Sequence, residues 1–388
     1  MSEAAQVLTP ETRNELTLSI QKDALQKVLS HVQTIVERRN TIPILSNILI
    51  MGENNLLRIM ATDMDIAIDE SLTADISIPG NVTVPAHMLY DIVRKLPNDE
   101  SIQLSYEDEK ARITISNSRS KFTLPCLPVD DFPVISDGKF DHEFDIEAPT
   151  LKKLIDGTKF AMSTEETRYY LNGIYFHRFQ TLGNDEKLRA VTTDGHRLAR
   201  VETDLPEKAG QIPGVILPRK TVSELRKLID SYTGNVCVSV SENRIKFSFD
   251  DLILSSKLID GTFPDYNQVI PKDNQIKIEA TVSDFAKAVD RVSTVSNETS
   301  RGVKISIEKS KMVLTANSPE NGVAREEIAI KYQGETIVIG FNAKYLLDVT
   351  QQLSGENLVF HIQDHETPVI VQDLSDENAL YVLMPLRV

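Results

Sequence analysis

The chain reads as an α+β protein built from three similar domains, each with two helices and an antiparallel sheet. Its 388 residues repeat one order of apolar segments three times, in units of roughly 130 residues. Each unit interleaves two helix-like stretches with several strand-like ones, which favours separate α+β domains over one sheet with alternating crossover helices. Three domains are also an ordinary number for this length, and each is long enough to bury its own core. The expected domains are residues 14–140, 141–270 and 271–388, behind a frayed tail at 1–13.

Each unit is expected to open on an amphipathic helix, read from Asp23-Ala24-Leu25-Gln26-Lys27-Val28-Leu29, Leu151-Lys152-Lys153-Leu154-Ile155 and Phe285-Ala286-Lys287-Ala288-Val289. A short apolar strand follows, at Asn47-Ile48-Leu49-Ile50, Asn172-Gly173-Ile174-Tyr175-Phe176 and Gly302-Val303-Lys304-Ile305-Ser306-Ile307, leading to a strand pair from Leu57, Leu188 and Met312. Next comes a strand that runs into a second helix, at Val82 to His87, Val215 to Lys220 and Ile337 to Asn342. Pro85 and Pro218 suit those helix starts, because a proline's missing N–H would have no intrahelical partner there. Alternating strands such as Val236-Cys237-Val238-Ser239-Val240 close each unit, their period of two turning one face to a core. The first two units end alike, at Asp131-Phe132-Pro133 and Thr262-Phe263-Pro264-Asp265.

No apolar run approaches the ~20 residues of a membrane span. Residues 1–13 are polar, with Glu3 and Glu11, and lack the basic start and apolar middle of a signal peptide. A cytoplasmic protein is expected. Cys126 and Cys237 lie in different units without a CxxC pair, so neither a zinc site nor a disulfide framework is indicated and no cofactor is implied. Both read as core thiols.

A net charge of -15 argues at first against nucleic acid, since phosphate affinity comes from clustered Lys and Arg. Its distribution argues the other way. The six helical stretches, placed at 21–40, 85–97, 150–160, 218–230, 283–295 and 342–353, hold 16 basic against 9 acidic residues, so the acidic excess lies elsewhere. The basic residues concentrate in the first two units, with Arg38, Arg39, Lys152, Lys153, Arg219 and Lys220 among them, while the helices of the third are nearly neutral. They form either solvated helix faces or, gathered on one surface, a mildly positive face suited to sequence-independent contact with a nucleic-acid backbone.

Thr193-Asp194-Gly195-His196-Arg197 brings an Asp and a His close together, as acid–base catalysis requires. A hydrolase or transferase using Asp194 and His196 is therefore one rival reading, and a sugar- or peptide-binding scaffold is another. However, no GxSxG elbow, P-loop, GxGxxG or HExxH accompanies the pair. Asp63, following Thr62, holds the equivalent place in the first unit without a His. That recurrence predicts a turn in which the Asp caps backbone donors.

Six segments in this order carry a family resemblance: Ile42-Pro43-Ile44-Leu45-Ser46-Asn47, Arg168-Tyr169-Tyr170-Leu171-Asn172-Gly173, Thr193-Asp194-Gly195-His196-Arg197-Leu198, Pro218-Arg219-Lys220, Asp260-Gly261-Thr262-Phe263-Pro264-Asp265-Tyr266 and the terminal Tyr381 to Val388. From about Leu16 to its end the chain resembles the bacterial DNA polymerase III beta subunit, the sliding clamp. The resemblance implies three clamp domains, a head-to-tail homodimer closed into a ring around double-stranded DNA without sequence preference, and no catalysis. Its implied partners are the DNA polymerase III alpha subunit, the clamp loader, and other polymerases and repair proteins carrying clamp-binding peptides.

By the same resemblance, a peptide groove between the second and third domains would be lined by Leu171, Thr193, Gly195, His196, Arg197, Leu198, Pro264, Val269, Pro368, Val382, Met384, Pro385, Leu386 and Arg387. Most are apolar, which suits burial of a partner's Leu and Phe anchors. Arg39, Arg219 and Lys220 would face DNA, and Phe122 and Val295 would lie in the dimer interface. Glu165 stands where some relatives carry an uncharged amide and would weaken phosphate contact.

Overall fold

A computed structural model describes residues 15–98, 100–133, 138–181, 183–297 and 301–387. The expected tail at 1–13 lies outside the described residues, as does Val388. The first repeat runs β1 (Glu15–Gln21), α1 (Lys22–Val32), β2 (Asn47–Glu53), β3 (Leu56–Thr62) and β4 (Ile66–Thr73), then β5 (Asp75–Ile78), β6 (Gly80–Pro85), α2 (Ala86–Lys95), β7 (Ser101–Glu107), β8 (Arg112–Ser116) and β9 (Lys121–Pro125). The second runs β10 (His142–Glu147), α3 (Ala148–Lys159), β11 (Gly173–Gln180), β12 (Glu186–Thr193) and β13 (Arg197–Asp204), then β14 (Val215–Pro218), α4 (Arg219–Leu228), β15 (Asn235–Val240), β16 (Arg244–Phe249) and β17 (Leu252–Lys257). The third runs β18 (Ile276–Thr281), α5 (Val282–Ser293), β19 (Gly302–Glu308), β20 (Lys311–Ser318) and β21 (Gly322–Ala329), then β22 (Ile337–Asn342), α6 (Ala343–Thr350), β23 (Asn357–Ile362), β24 (Val369–Asp373) and β25 (Asp376–Leu383).

Two corrections follow. Each repeat opens on a strand rather than a helix, and each is itself a doubled strand–helix–three-strand unit, with β5 inserted in the first. The first helix stops at Val32 and does not reach residue 40. The Thr34 hydroxyl donates to the His31 carbonyl at 2.7 Å, and Ile35 N–H bonds Val32 O in a tight turn. Ile35 and Val36 are buried all the same, so apolar spacing continued past the point where the backbone left the helix. Arg38 and Arg39 therefore sit in a loop. The charge segregation survives this change, since the observed helices carry 14 Lys and Arg against 7 Asp and Glu.

Helix starts differ among the repeats. Pro85 and Pro218 stand one residue ahead of α2 and α4, while α6 is capped by Asn342, whose side chain accepts the Lys344 N–H at 2.9 Å. Each repeat packs its two helices together, α1 on α2, α3 on α4 and α5 on α6.

The strands form four sheets, ordered β5-β1-β7-β8-β9, β10-β15-β16-β17-β4-β3-β2-β6, β14-β11-β12-β13-β25-β24-β23-β18 and β21-β20-β19-β22. Close packing divides the chain into two units, Met1–Asp145 with Gly234–Lys257, and Ile146–Thr233 with Leu258–Val388. The second repeat contributes strands to both: β17 pairs with β4 in one unit, and β13 pairs with β25 in the other. Cys126 is buried, which pushes its thiol up to about 11. Cys237 is only half-buried on β15, which corrects its reading as a core thiol. Among the described residues no helix is long and apolar enough to cross a membrane.

Candidate functional site: a cleft beside the Thr193–Arg197 turn

The turn between β12 and β13 is built by its first two residues. Asp194 Oδ1 accepts the backbone N–H groups of His196 and Arg197 at 2.9 and 3.0 Å. The Thr193 hydroxyl accepts the Gly195 N–H at 3.1 Å and donates to Arg197 O at 2.7 Å. The turn after Thr62 repeats the scheme: Asp63 Oδ1 accepts from Asp65 and Ile66, and Thr62 from Met64. With Asp194 committed to the backbone, and its Oδ2 to Arg197 Nε at 3.0 Å, it is not placed to orient the exposed His196. The Asp–His pair is thus a turn, as the recurrence implied. Among the described residues no cluster of three His, Cys, Asp or Glu could hold a metal ion.

Arg197 is 7% exposed and spends its guanidinium inside. Besides Asp194, it donates to Asp348 Oδ2 at 2.5 Å and Phe160 O at 2.6 Å, and it lies 4.3 Å from the Tyr345 ring centroid. The start of β13 is thereby tied to α6. Gly195 has φ +89°, which favours glycine, and a Cβ there would meet Arg168 Nη1 at 2.6 Å, so a larger residue would strain the backbone and displace the end of the Arg168 side chain.

Against this turn opens a cleft of about 250 Å³ within the second packing unit. Leu171 enters it from the short helical turn Glu166–Leu171, and Thr193, Gly195, Arg197 and Leu198 from the β12–β13 turn. Pro264 and Val269 line it from either side of the short turn Tyr266–Gln268, and Val382 and Met384 from the end of β25. Its floor is an apolar cluster that includes Leu171, Leu198, Phe263, Tyr266 and Val382. Met384 is held at the rim by its N–H to His196 O at 2.9 Å.

Five expected residues are not in the lining. His196 is exposed on the turn and offers the site only its carbonyl, to Met384. Pro368 is half-buried and gives its carbonyl to Asn274. Leu386 turns away because its N–H pairs with Gly340 O at 2.8 Å, and Pro385 and Arg387 beside it also fall outside the cleft. Conversely Arg168 and Tyr170 line the cleft and were not expected to. Both belong to the Arg168-Tyr169-Tyr170-Leu171 run, from which only Leu171 had been taken.

Comparison with known proteins decides the family. Models of the DNA polymerase III beta subunit match in order along the chain, the N-terminal domain over residues 16–136, the central domain over 145–265 and the C-terminal domain over 267–387. The chain belongs to the beta sliding clamp family. It is 49% identical to the beta sliding clamp of Caulobacter vibrioides over 373 residues, which cover 96% of this chain and 100% of the relative. To the Escherichia coli K12 clamp it is 36% identical over 377 residues, covering 96% and 100%. A solved Caulobacter crescentus clamp matches with TM-score 0.95 at 49% identity, covering 97% of this chain and 100% of that one. The Bartonella birtlesii clamp bound to griselimycin matches with TM-score 0.93 at 46% identity, covering 96% and 100%. The chain is accordingly a DNA sliding clamp of DNA polymerase III, made of three clamp domains and acting as a processivity factor, not an enzyme.

The residues expected at DNA differ in their freedom. Arg39 is exposed in the loop after α1. Arg219, the first residue of α4, instead donates to Met162 O at 3.0 Å and Ser163 O at 2.5 Å, and its half-burial lowers its pKa. Lys220 follows it, half-buried. Glu165 is engaged by Arg168 through two bonds of 2.8 and 2.5 Å, which hold its carboxyl below the usual range. Phe122 is exposed on β9, and Val295 is half-buried just after α5.

Proposed function

We propose that two copies of this chain join head-to-tail into a closed ring around duplex DNA, and that the cleft takes short peptides from proteins working on that DNA. The ring reading is carried by which strands lack a partner. The third strand of each strand–helix–three-strand unit meets its like in another unit: β4 lies against β17, and β13 against β25. Of these third strands, among the described residues, only β9 and β21 end their sheets without such a counterpart, and they belong to the first and third repeats. An open strand edge invites pairing with another chain. Joining β9 of one copy to β21 of the next uses two different surfaces, a heterologous contact that makes a closed dimer if its rotation closes. Phe122, on β9, and Val295, next to the helix that packs on β21, are apolar groups suited to that seam.

The domains are assigned as 14–140, 141–270 and 271–388. Arg39 and Lys220 contact phosphate, and Arg219 holds the carbonyls of Met162 and Ser163 beside Lys220. Weak, sequence-independent contacts let the ring slide while topology prevents its loss. The cleft's apolar floor and polar turn suit Leu and Phe anchors of the DNA polymerase III alpha subunit, the clamp loader, other polymerases and repair proteins. A cytoplasmic location suits these partners.

The decisive experiment loads the protein onto nicked circular DNA with a matched clamp loader and ATP, then cuts the circle once. Retention on the circle and loss on linearisation are expected. Persistence on linear DNA would mean ordinary electrostatic adhesion and overturn the ring.

A further inference from the structure

We propose that His177 and Arg189 are positioning residues that hold one wall of the cleft through Tyr266, and that protonation of His177 loosens that wall. The inference rests on the peptide-cleft reading above. Pro264 and Val269, two lining residues, flank the Tyr266–Gln268 turn. That turn is closed by Val269 N–H to Tyr266 O at 3.1 Å, and Asp265 Oδ1 accepts the Asn267 N–H at 3.2 Å. What fixes the turn to the sheet is Tyr266, 4% exposed. Its hydroxyl lies 3.2 Å from Arg189 Nη1 on β12 and 2.9 Å from His177 Nε2 on β11.

The proton positions follow from what each group can do. Arginine only donates, so the Tyr266 oxygen accepts from Arg189, and its own proton goes to His177 Nε2. His177 Nδ1, 2.8 Å from Arg178 O, must then carry the ring proton. This neutral tautomer satisfies all three bonds at once. A protonated ring would point a second donor at the Tyr266 oxygen and leave the tyrosine proton without its acceptor. The ring also stacks on Tyr175 at 4.7 Å, and Tyr175 stacks on Phe263 at 4.8 Å, so displacement of His177 reaches the wall by a second route just before Pro264.

The charged groups around His177 oppose a further positive charge. Arg189 donates to Glu202 at 2.6 Å and lies 3.2 Å over the Phe179 ring. Arg200 reaches the same carboxylate only at 3.9 Å, and its Nε has no hydrogen-bond partner among the described residues. One carboxylate thus serves two arginines. Arg178, next to His177, is paired with Glu186 and Gly210 O and adds no free anion. Burial first, with Arg189 adding to it, holds the His177 pKa below the ordinary 6.5. Because the neutral form is the one that holds Tyr266, the latch is complete above that ordinary value and is lost as pH falls below it.

The test is fluorescence anisotropy on the full chain between pH 5.5 and 8, at constant ionic strength. The probe is a tetramethylrhodamine-labelled, C-terminally amidated peptide ending in Leu-Phe and free of His, Asp and Glu. Wild type should bind roughly three- to tenfold more weakly at the acid end, corresponding to up to about one pKa unit of coupling. His177→Gln should flatten the profile, since glutamine offers an acceptor that does not titrate. Tyr266→Phe, with its melting temperature recorded to establish folding, should bind more weakly at pH 8 and also be flat. A flat wild-type profile, or an unchanged profile in His177→Gln, overturns the latch alone. No binding at any pH overturns the cleft reading and the latch with it.

Discussion

The turn from Thr62 to Ile66 and the turn from Thr193 to Arg197 share one hydrogen-bond scheme and differ in their last three residues. In both, a Thr and an Asp satisfy the local backbone. The third position takes a positive φ in each, but it is Met64 at 80° in one and Gly195 at 89° in the other. The fifth is Ile66, a fully buried apolar residue, against Arg197, which reaches Asp348. Backbone capping is therefore a reusable part. What makes the second turn a site is the pair of substitutions that let Arg168 approach Gly195 and tie the turn to α6.

The largest effect should come from cutting that tie. Arg197→Ala removes a nearly buried cation and leaves Asp194, Asp348 and Phe160 O without their partner, which should cost about 3–5 kcal/mol, as for other broken buried pairs. Denaturant unfolding of the second packing unit would measure it. Asp194→Ala should cost roughly 3 kcal/mol, because it loses two capped N–H groups and its hold on the Arg197 guanidinium together. A loss near about 1 kcal/mol would mean that bracing Arg197 contributes nothing beyond the caps.

Gly195→Ala comes next. It meets an unfavourable φ and the Arg168 guanidinium together, for about 1–3 kcal/mol. Met64→Gly tests the converse: relief at a strained position should leave stability unchanged within about 1 kcal/mol. If Gly195→Ala is silent, Arg168 can move aside and the glycine serves only the backbone.

The threefold repeat and the Asp-capped turn were legible in the sequence because they are local, whereas nine of the cleft's lining residues followed only from the family resemblance. The opening strands were legible in principle. Leu16, Leu18 and Ile20 alternate on β1, as do Phe144 and Ile146 on β10, but each strand abuts a helix whose longer apolar pattern absorbed it. The limits of the site were harder to see. Val382 and Met384 share a side of their segment, and only the Leu386–Gly340 bond shows that the chain leaves the cleft after them. The His177–Tyr266 bond joins positions 89 apart and follows no motif, so pattern reasoning could not find it.

Met384→Ala separates binding from folding. The side chain is 38% exposed at the rim, so truncation should leave stability nearly unchanged while removing soft, adaptable contact with an apolar anchor. Roughly a tenfold loss of affinity for the Leu-Phe peptide, about 1.4 kcal/mol, is expected by anisotropy. A comparable loss on truncating the still more exposed Leu374, which does not line the cleft, would remove the case for this site.

The smallest effect concerns the loops after α1 and α3, a second place where the repeats differ. The first presents Arg38 and Arg39, and the second presents Glu165, already engaged by Arg168. Because that ion pair is exposed, Glu165→Gln should barely change stability. If the loop faces DNA, removing the carboxylate should slow dissociation of the loaded ring slightly in dilute salt and not at all near 1 M, where screening extends over only about 3 Å. It should also free Arg168 to meet a carboxylate on a partner peptide, so an acidic peptide should gain affinity while a neutral one does not. A gain for both peptides would instead mean that Glu165 acts on the shape of the cleft, and the contrast between the basic and acidic loops would then concern peptide binding rather than DNA.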